Sequence, residues 1–439
     1  MGVKVTKFGG SSVADAIQIA KTKDIIVSDP DRKYIIVSAP GKRYNEDNKI
    51  TDLLYLCKTH IEHNLPYEQV FQVICDRFTA MAINLGTKVD LTKEFGIIID
   101  HLRKGASTDY VASRGEYLNA IITAAYLGYD FVDAAVMVHF DEKGRFLSEK
   151  TNESIKKELA KHKTAVIPGF YGAMPNGEIK TFSRGGSDIT GAIVARAVEA
   201  YVYENWTDVS GLLMADPRIV PEARPISRIS YKELRELSYM GASVLHEDAI
   251  YPARVANIPI NIRNTNIPDD PGTLITSEEE NSSGRIVTGI AGSRDFTVIA
   301  LYKNMMSAEK GFVRRVLGIF EDNDVIVEHM PNGIDTLSVV VSSSLLDGKL
   351  DDILDEINRK LQPDTIDVFD NMALVATVGY GMSRRPGVSA KLFTALAEAG
   401  VNIRMIDQGS SEMNIIVGVE NKDLDITIKA IYHAFISPL

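Results

Sequence analysis

Two stretches of the C-terminal third, Phe296 to Val341 and Met372 to Val417, align without a gap at an offset of 76 residues. A repeat of that length obliges one supersecondary unit to form twice. In each copy an apolar strand, beginning near Phe296 or Leu374, leads to a glycine (Gly311 or Gly387) that opens a helical stretch, Phe312 to Glu321 or Val388 to Glu398. A turn and two strands follow, with Asp335-Thr-Leu-Ser-Val-Val-Val answering Ser411-Glu-Met-Asn-Ile-Ile-Val. This order suits a ferredoxin-like βαββαβ module, present twice. A tail of this kind serves either dimerisation or the sensing of a small ligand between paired modules.

From Met1 to about Thr276 the pattern differs. Apolar runs at Tyr34 to Ala39, Thr164 to Gly169, Ala200 to Trp206 and Ile258 to Ile262 alternate with helical stretches. Short β-branched runs between helices predict a parallel or mixed sheet covered on both faces, a three-layer α/β/α sandwich. The acidic stretch Ser277 to Gly284 has little to bury and reads as a linker. The expected domains are 1–280, 281–370 and 371–424, with 425–439 a candidate strand returning to the first repeat module. A chain of 439 residues is long enough for two or three cores.

A net charge of -11 without a basic stripe argues against nucleic acid, because that affinity comes from clustered Lys and Arg releasing counterions. No apolar run reaches the roughly 18 residues a membrane span needs, and no signal-peptide core opens the chain. The cytoplasm is the expected compartment. Cys57 and Cys75 lie in helical apolar spacing without metal-ligand companions and read as reduced core thiols. Gly2 and Thr6 formally fit a myristoylation pattern, but the alternation from Val3 to Phe8 predicts a buried first strand instead.

Several catalytic patterns are missing. Neither Gly41-Lys42 nor Gly348-Lys349 has the Ser/Thr and upstream Gly of a phosphate loop, and position 250 after His246-Glu247 is Ile rather than a second zinc-binding His. What remains are glycine turns at strand ends. The strand Val3 to Lys7 enters Gly9-Gly10-Ser11-Ser12, where two glycines allow close backbone approach to an anion and Lys7 offers a cation, although a plain tight turn has the same pattern. Arg184-Gly185-Gly186-Ser187-Asp188 opens a helix, either as an anion site with the Arg184 fork or as a start capped by Ser187 or Asp188. Ser113-Arg114-Gly115-Glu116 satisfies a capping box, which accounts for Glu116 without a ligand. Thr207-Asp208-Val209-Ser210-Gly211 and Asp216-Pro217-Arg218 follow a strand where α/β folds collect ligands.

These residues resemble the aspartate kinases, a branch of the amino-acid kinase superfamily. The resemblance spans the chain and rests on KFGGSSV (7–13), GFYGAMPNGEIKTFSRGGSD (169–188), WTDVSGLLMADPR (206–218) and GASVLH (241–246). It implies that ATP and L-aspartate are the substrates, with Mg²⁺ accompanying ATP and no dedicated protein metal site. It further implies that Lys7 contacts the transferring phosphoryl group, that Asp188 orients Lys7, and that Arg184 with the Gly185, Gly186 and Ser187 amides holds the α-carboxylate. Glu116 would take the α-amino group and Thr51 would touch the substrate. Gly9, Gly10, Thr207, Asp208 and Arg218 match the ATP subsite, as do Leu213 and Ser243, where many relatives carry an aromatic residue and Lys.

The duplicated tail resembles paired ACT domains. That implies an end-product effector, lysine first and threonine next, at Met306, Glu309, Gly311, Phe312, Val313, Val327 and Glu328, and a homodimer or homotetramer built through these modules. Rival readings are a kinase of another acid, such as glutamate or acetylglutamate, and a silent amino-acid sensor. The WTDV-to-DPR block disfavours the first, and Lys7, Arg184 and Asp188 together disfavour the second.

Overall fold

The computed structural model describes residues 2–183, 185–241, 245, 247–277 and 285–436. They form two compact units, the first comprising residues 1–212, 225–231 and 244–278 and the second 213–224, 232–243 and 279–439. In chain order the first half runs β1 (Lys4–Phe8), α1 (Ala16–Val27), β2 (Arg32–Val37), α2 (Ile50–Glu62), α3 (Glu68–Asn84), α4 (Thr92–Arg103) and α5 (Thr108–Leu127). Next come β3 (Asp130–Phe131), α6 (Ser148–Leu159), β4 (Ala165–Pro168), β5 (Tyr171–Ala173), β6 (Ile179–Thr181), α7 (Gly186–Ala197) and β7 (Val202–Thr207). The short strands β8 (Leu212–Leu213), β9 (Pro225–Ile226) and β10 (Arg228–Ser230) precede α8 (Tyr231–Tyr239), α9 (Glu247–Val255), β11 (Ile260–Asn264) and β12 (Thr273–Thr276).

The eight-stranded sheet of the first unit has the order β10-β12-β11-β7-β1-β2-β4-β3. Its pairs are parallel apart from β11 with β12. β1 is central, in register with β2 and β7 on either side. Alternation along β1 and β7 sends Phe8 and Trp206 into the apolar core with α1, α2 and α5, and sends Lys7 and Asn205 to the face that α7 covers. The α/β/α sandwich expected from the alternating pattern is the one that forms. Cys57 is buried and Cys75 partly so, both free thiols, and burial pushes Cys75 up to about 11, which keeps it protonated.

One buried ion pair joins β2 to β7. The Arg32 guanidinium donates to both carboxylate oxygens of Glu204 at 2.7 and 3.2 Å, and the Trp206 indole donates to the same carboxylate at 3.0 Å. Burial alone would raise the Glu204 pKa, but the Arg32 fork outweighs it and holds the carboxyl below its usual range.

In the second unit β13 (Gly289–Tyr302) leads to α10 (Phe312–Asp322), β14 (Thr336–Ser342), α11 (Leu350–Leu361) and β15 (Thr365–Val378). Then follow α12 (Val388–Glu398), β16 (Met405–Asp407), β17 (Asn414–Glu420) and α13 (Leu424–Phe435). The two long strands each serve two modules. The Phe296–Tyr302 half of β13 pairs with β14 and with the start of β15, closing the first module. The Gly289–Ser293 half pairs with Leu374–Val378, beyond which lie β17 and β16, and so supplies the fourth strand of the second module. A register shift around Asp295, whose φ is 66°, separates the halves.

This corrects the expectation for the last segment: its described residues, 425–436, do not return as a strand to the first module. Leu424–Phe435 is a helix, with Leu424, Thr427, Ile428 and Ile431 buried along one face. The linker expected at Ser277 to Gly284 lies outside the described residues beyond Ser277. α8 is fastened within this unit at three points. Glu233 accepts from the Thr288 hydroxyl (2.6 Å) and the Tyr380 amide (2.8 Å), Glu236 from the Asn414 amide side chain (2.6 Å), and Glu328 from the Tyr239 hydroxyl.

Removing Arg32 leaves the buried Glu204 carboxylate with Lys4, at 3.4 Å, in place of the two-point fork. Arg32→Ala is therefore expected to lower unfolding free energy by about 3–5 kcal/mol in urea titration, whereas Arg32→Met combined with Glu204→Leu should cost far less. A single-variant loss below about 1 kcal/mol would refute the pair's structural role.

Candidate active site

The C-terminal ends of β1, β2 and β4 converge, and glycines permit it. A Cβ at Gly10 would lie 3.0 Å from the Ala39 carbonyl oxygen, one at Gly41 2.8 Å from the Gly10 carbonyl carbon, and one at Gly115 2.7 Å from the Ala39 Cβ. Contacts this short exclude side chains, so the turns after β1 and β2 and the middle of α5 meet at Ala39. After β4, a Cβ on Gly169 would meet Ser187 at 2.7 Å, which brings in the start of α7.

Lys7 and Asp188 are brought together as expected: Lys7 Nζ lies 2.6 Å from Asp188 Oδ1, with both side chains largely buried. The same Asp188 oxygen accepts from Asn205 Nδ2 at 2.7 Å, and Asn205 Oδ1 accepts from Lys7 Nζ at 3.5 Å. Asn205 was not singled out from the sequence. The available signal was a carboxamide within an apolar strand run, where burial without partners costs about 1–3 kcal/mol.

The turn after β1 is arranged differently from the expectation. The Gly9 amide donates to the Trp206 carbonyl (3.0 Å) and the Ser12 amide to the Gly9 carbonyl (3.0 Å), so these two donors serve the turn and not an anion. The start of α7 also departs from the capped reading. Its N-cap is Gly185, with φ 59°, and no side chain caps it, while Ser187 and Asp188 are already inside the first turn. An uncapped first turn keeps amide donors and the positive end of the helix dipole available to an anion.

Glu116 is not a capping residue. α5 begins at Thr108 with Ser107 as its N-cap, and Glu116 lies two turns further on. Its carboxyl is buried and Oε2 has no hydrogen-bond partner. Burial raises its pKa to about 8, with backbone hydrogen bonds from Ala39 and Glu116 itself and the Arg114 charge pulling only weakly the other way. α5 is held rigidly there. Arg114 is sandwiched over Tyr110 (4.5 Å) and Tyr117 (4.4 Å), and Asn119 donates to the Ser38 carbonyl at 2.7 Å. Thr51, half-buried in the first turn of α2, follows Ile50, whose methyl approaches Gly115.

Thr207 ends β7, and its hydroxyl donates to Asp208 at 3.2 Å. Leu213 and Arg218 belong to the second unit. Leu213 is partly exposed, and the Arg218 fork closes on Asp216 at 3.0 and 2.6 Å. Arg184 and Ser243 lie outside the described residues. A cavity of about 660 Å³ opens beside α1, lined by Lys21, Arg32, Trp206, Arg263 and Asp269, on the sheet face opposite Lys7, and none of the expected site residues lines it.

In the first repeat module, Met306 and Phe312 are buried and Val313 is exposed, while Gly311 caps α10 with φ 76°. Glu309 is committed to Lys303 (2.6 Å) and Arg315. Val327 and Glu328 are half-buried, with the Glu328 amide bonded to the Val340 carbonyl at 2.8 Å.

The amino acid kinase family model matches residues 2–264, and an ACT domain model matches residues 375–435. Fold, glycine turns and family match define an amino acid kinase carrying ACT modules. Aspartokinase 3 of Bacillus subtilis (strain 168) is 36% identical over 448 residues, covering 99% of this chain and 98% of its own. The crystal structure of Clostridium acetobutylicum aspartate kinase, described as an allosteric enzyme, superposes with a TM-score of 0.91 at 53% identity over 99% of this chain and 100% of that one. Aspartokinase III of E. coli in complex with aspartate and ADP gives 0.75 at 25% identity, over 98% and 99% of the two chains. The chain belongs to the aspartokinases, ATP-dependent phosphotransferases with a carboxyl group of aspartate as acceptor.

Since burial raises Glu116 to about 8, an ammonium bound against it would have to displace its proton. The prediction is that kcat/KM for aspartate falls as pH drops below about 8, and that Glu116→Gln lowers kcat/KM and flattens this limb. A limb that persists unchanged in Glu116→Gln would assign it to another group.

Proposed function

We propose that this protein transfers the ATP γ-phosphoryl group to the β-carboxylate of L-aspartate, giving 4-phospho-L-aspartate. The observation that carries the reading is the Lys7–Asp188 ion pair beside the uncapped start of α7. An ammonium in that position meets the anionic phosphoryl, and free helix amides meet the α-carboxylate, joined by the Arg184 fork. The Glu116 carboxyl, whose Oε2 has no partner, is the complement of the α-ammonium, and Thr51 in the first turn of α2 is assigned to the substrate by the resemblance.

The acceptor carboxylate has a reference pKa near 3.9, so it is ionised at neutral pH and no general base is needed. Catalysis then consists of aligning the β-carboxylate in line with the γ-phosphorus and balancing charge. Lys7, held by Asp188, draws charge from the transferring oxygens. Gly9 and Gly10 keep the β1 turn free of side chains, which lets phosphate approach the backbone. The resemblance assigns Thr207 and Asp208, and separately Leu213, Arg218 and Ser243, to the nucleotide. Mg²⁺ would be held mainly by the nucleotide phosphates, whose charge it neutralises.

Residues 1–280 carry the catalysis in this reading and the ACT modules the regulation; the protein works in the cytoplasm as a homodimer or homotetramer, and the reaction serves lysine, threonine and methionine synthesis. Lysine is the proposed effector. Glu328 is a half-buried carboxyl that already accepts from the Tyr239 hydroxyl, and the resemblance groups it with Met306 to Val313 as the effector segment. The Glu309 carboxyl, already paired with Lys303 and Arg315, contributes less.

With ATP, aspartate and hydroxylamine, the protein should yield the β-hydroxamate of aspartate. Lys7→Ala should cut kcat by several orders of magnitude with little change in aspartate KM. Absence of hydroxamate, its formation at the α-carboxyl, or a kcat within a few-fold would each sink the assignment. Separately, lysine should inhibit, and Glu328→Ala should raise the lysine concentration needed. Indifference to millimolar lysine would remove lysine as effector.

A further inference from the structure

Asn205 is paired directly with Lys7 across adjacent parallel strands, on the face that α7 covers, and is 2% exposed. A core position between Lys7 and Ile262 in the sheet would pack better with an apolar residue. Both ends of the carboxamide are instead engaged. Chemistry fixes its orientation: a carboxylate only accepts and an ammonium only donates, so Nδ2 faces Asp188 and Oδ1 faces Lys7.

We propose that Asn205 is a positioning residue for phosphoryl transfer, holding the Asp188 carboxylate by one oxygen so that the Lys7 ammonium stays turned toward the glycine turn. This rests on the role given above to Lys7 and Asp188. The Lys7 ammonium already borders that turn, since a Cβ on Gly9 would lie 3.5 Å from Nζ. Asn205 contributes in two ways. Its N–H competes for the oxygen that Lys7 uses, which leaves the ammonium less neutralised by Asp188 and more able to attract phosphoryl oxygens. It also stops the carboxylate from rotating to chelate Lys7 with both oxygens and drawing it out of line. Misplacement of about 1 Å in such a site costs on the order of a hundredfold in rate.

The test is a double-mutant cycle with Asn205→Leu and Asp188→Ala, measuring kcat, KM for both substrates and thermal unfolding. Asn205→Leu should lower kcat about 10- to 100-fold with KM for aspartate and ATP within about threefold. In the Asp188→Ala background the same change should alter kcat by less than about twofold, because the residue through which it acts is gone. An equal loss in both backgrounds, or no loss in the parent, would overturn the inference while leaving the Lys7–Asp188 reading intact. A kcat for Asp188→Ala within a few-fold of the parent would overturn both. Should Asn205→Leu not fold, Asn205→Asp supplies an independent readout. Its carboxyl faces Asp188, so it donates as Asn205 does only when protonated, and kcat should rise as pH falls. A pH profile parallel to that of the parent would also overturn the proposal.

Discussion

The strand-end cluster depends on burying the Lys7 side chain and holding it in one direction. Lys7 belongs to the central strand of the sheet, where an unpaired cation would be costly, and Asp188 at 2.6 Å makes it tolerable. That single contact joins the middle of β1 to the first turn of α7. From it follow the need for Gly185 at the helix start, for the close fit of Gly169 against Ser187, and for a polar Asn205 in an otherwise apolar strand.

Glu116 is the opposite case, a buried carboxyl without a counter-charge. The fold maintains it by packing: Gly115 against Ala39, Arg114 between tyrosine rings, and Asn119 tied to the strand-end turn. A group kept neutral by burial becomes a selective receptor, because only a cationic ligand repays its ionisation. Lys7 and Glu116 thus give the strand-end cluster two poles, which the proposed function assigns to phosphoryl oxygens and to an ammonium.

The ACT modules show how an insertion-like topology arises from two long strands. β13 and β15 each cross from one module to the other, so neither module closes without the strand that begins before the first. α8 is hydrogen-bonded to both modules through Glu233, Glu236 and Tyr239, although it belongs by sequence to the stretch before the linker. Local contacts within this unit therefore do not respect a single cut in the chain.

Much of this was legible in the residues alone. The alternation of strands and helices and the repeat that places α10 and α12 with the same spacing follow from local period, whereas the pairing of Lys7 with Asp188 was implied by the resemblance to the aspartate kinases and not by period or spacing. What local pattern could not carry was partnership over distance. A capping box at Ser113 to Glu116 is indistinguishable by sequence from two turns of helix interior, and only the earlier start at Ser107 decided it. The residues after Leu424 are apolar enough for strand or helix, and they form a helix, while in the first module both sides of Phe296–Tyr302 are filled by β14 and the start of β15. Asn205 acquires meaning only from Lys7, 198 residues away in the chain. The sequence by itself determined which elements form and which chemistry they can bear; the tertiary structure alone decided which strand closes each module and which polar groups are buried with a partner, because both are settled by non-local contacts.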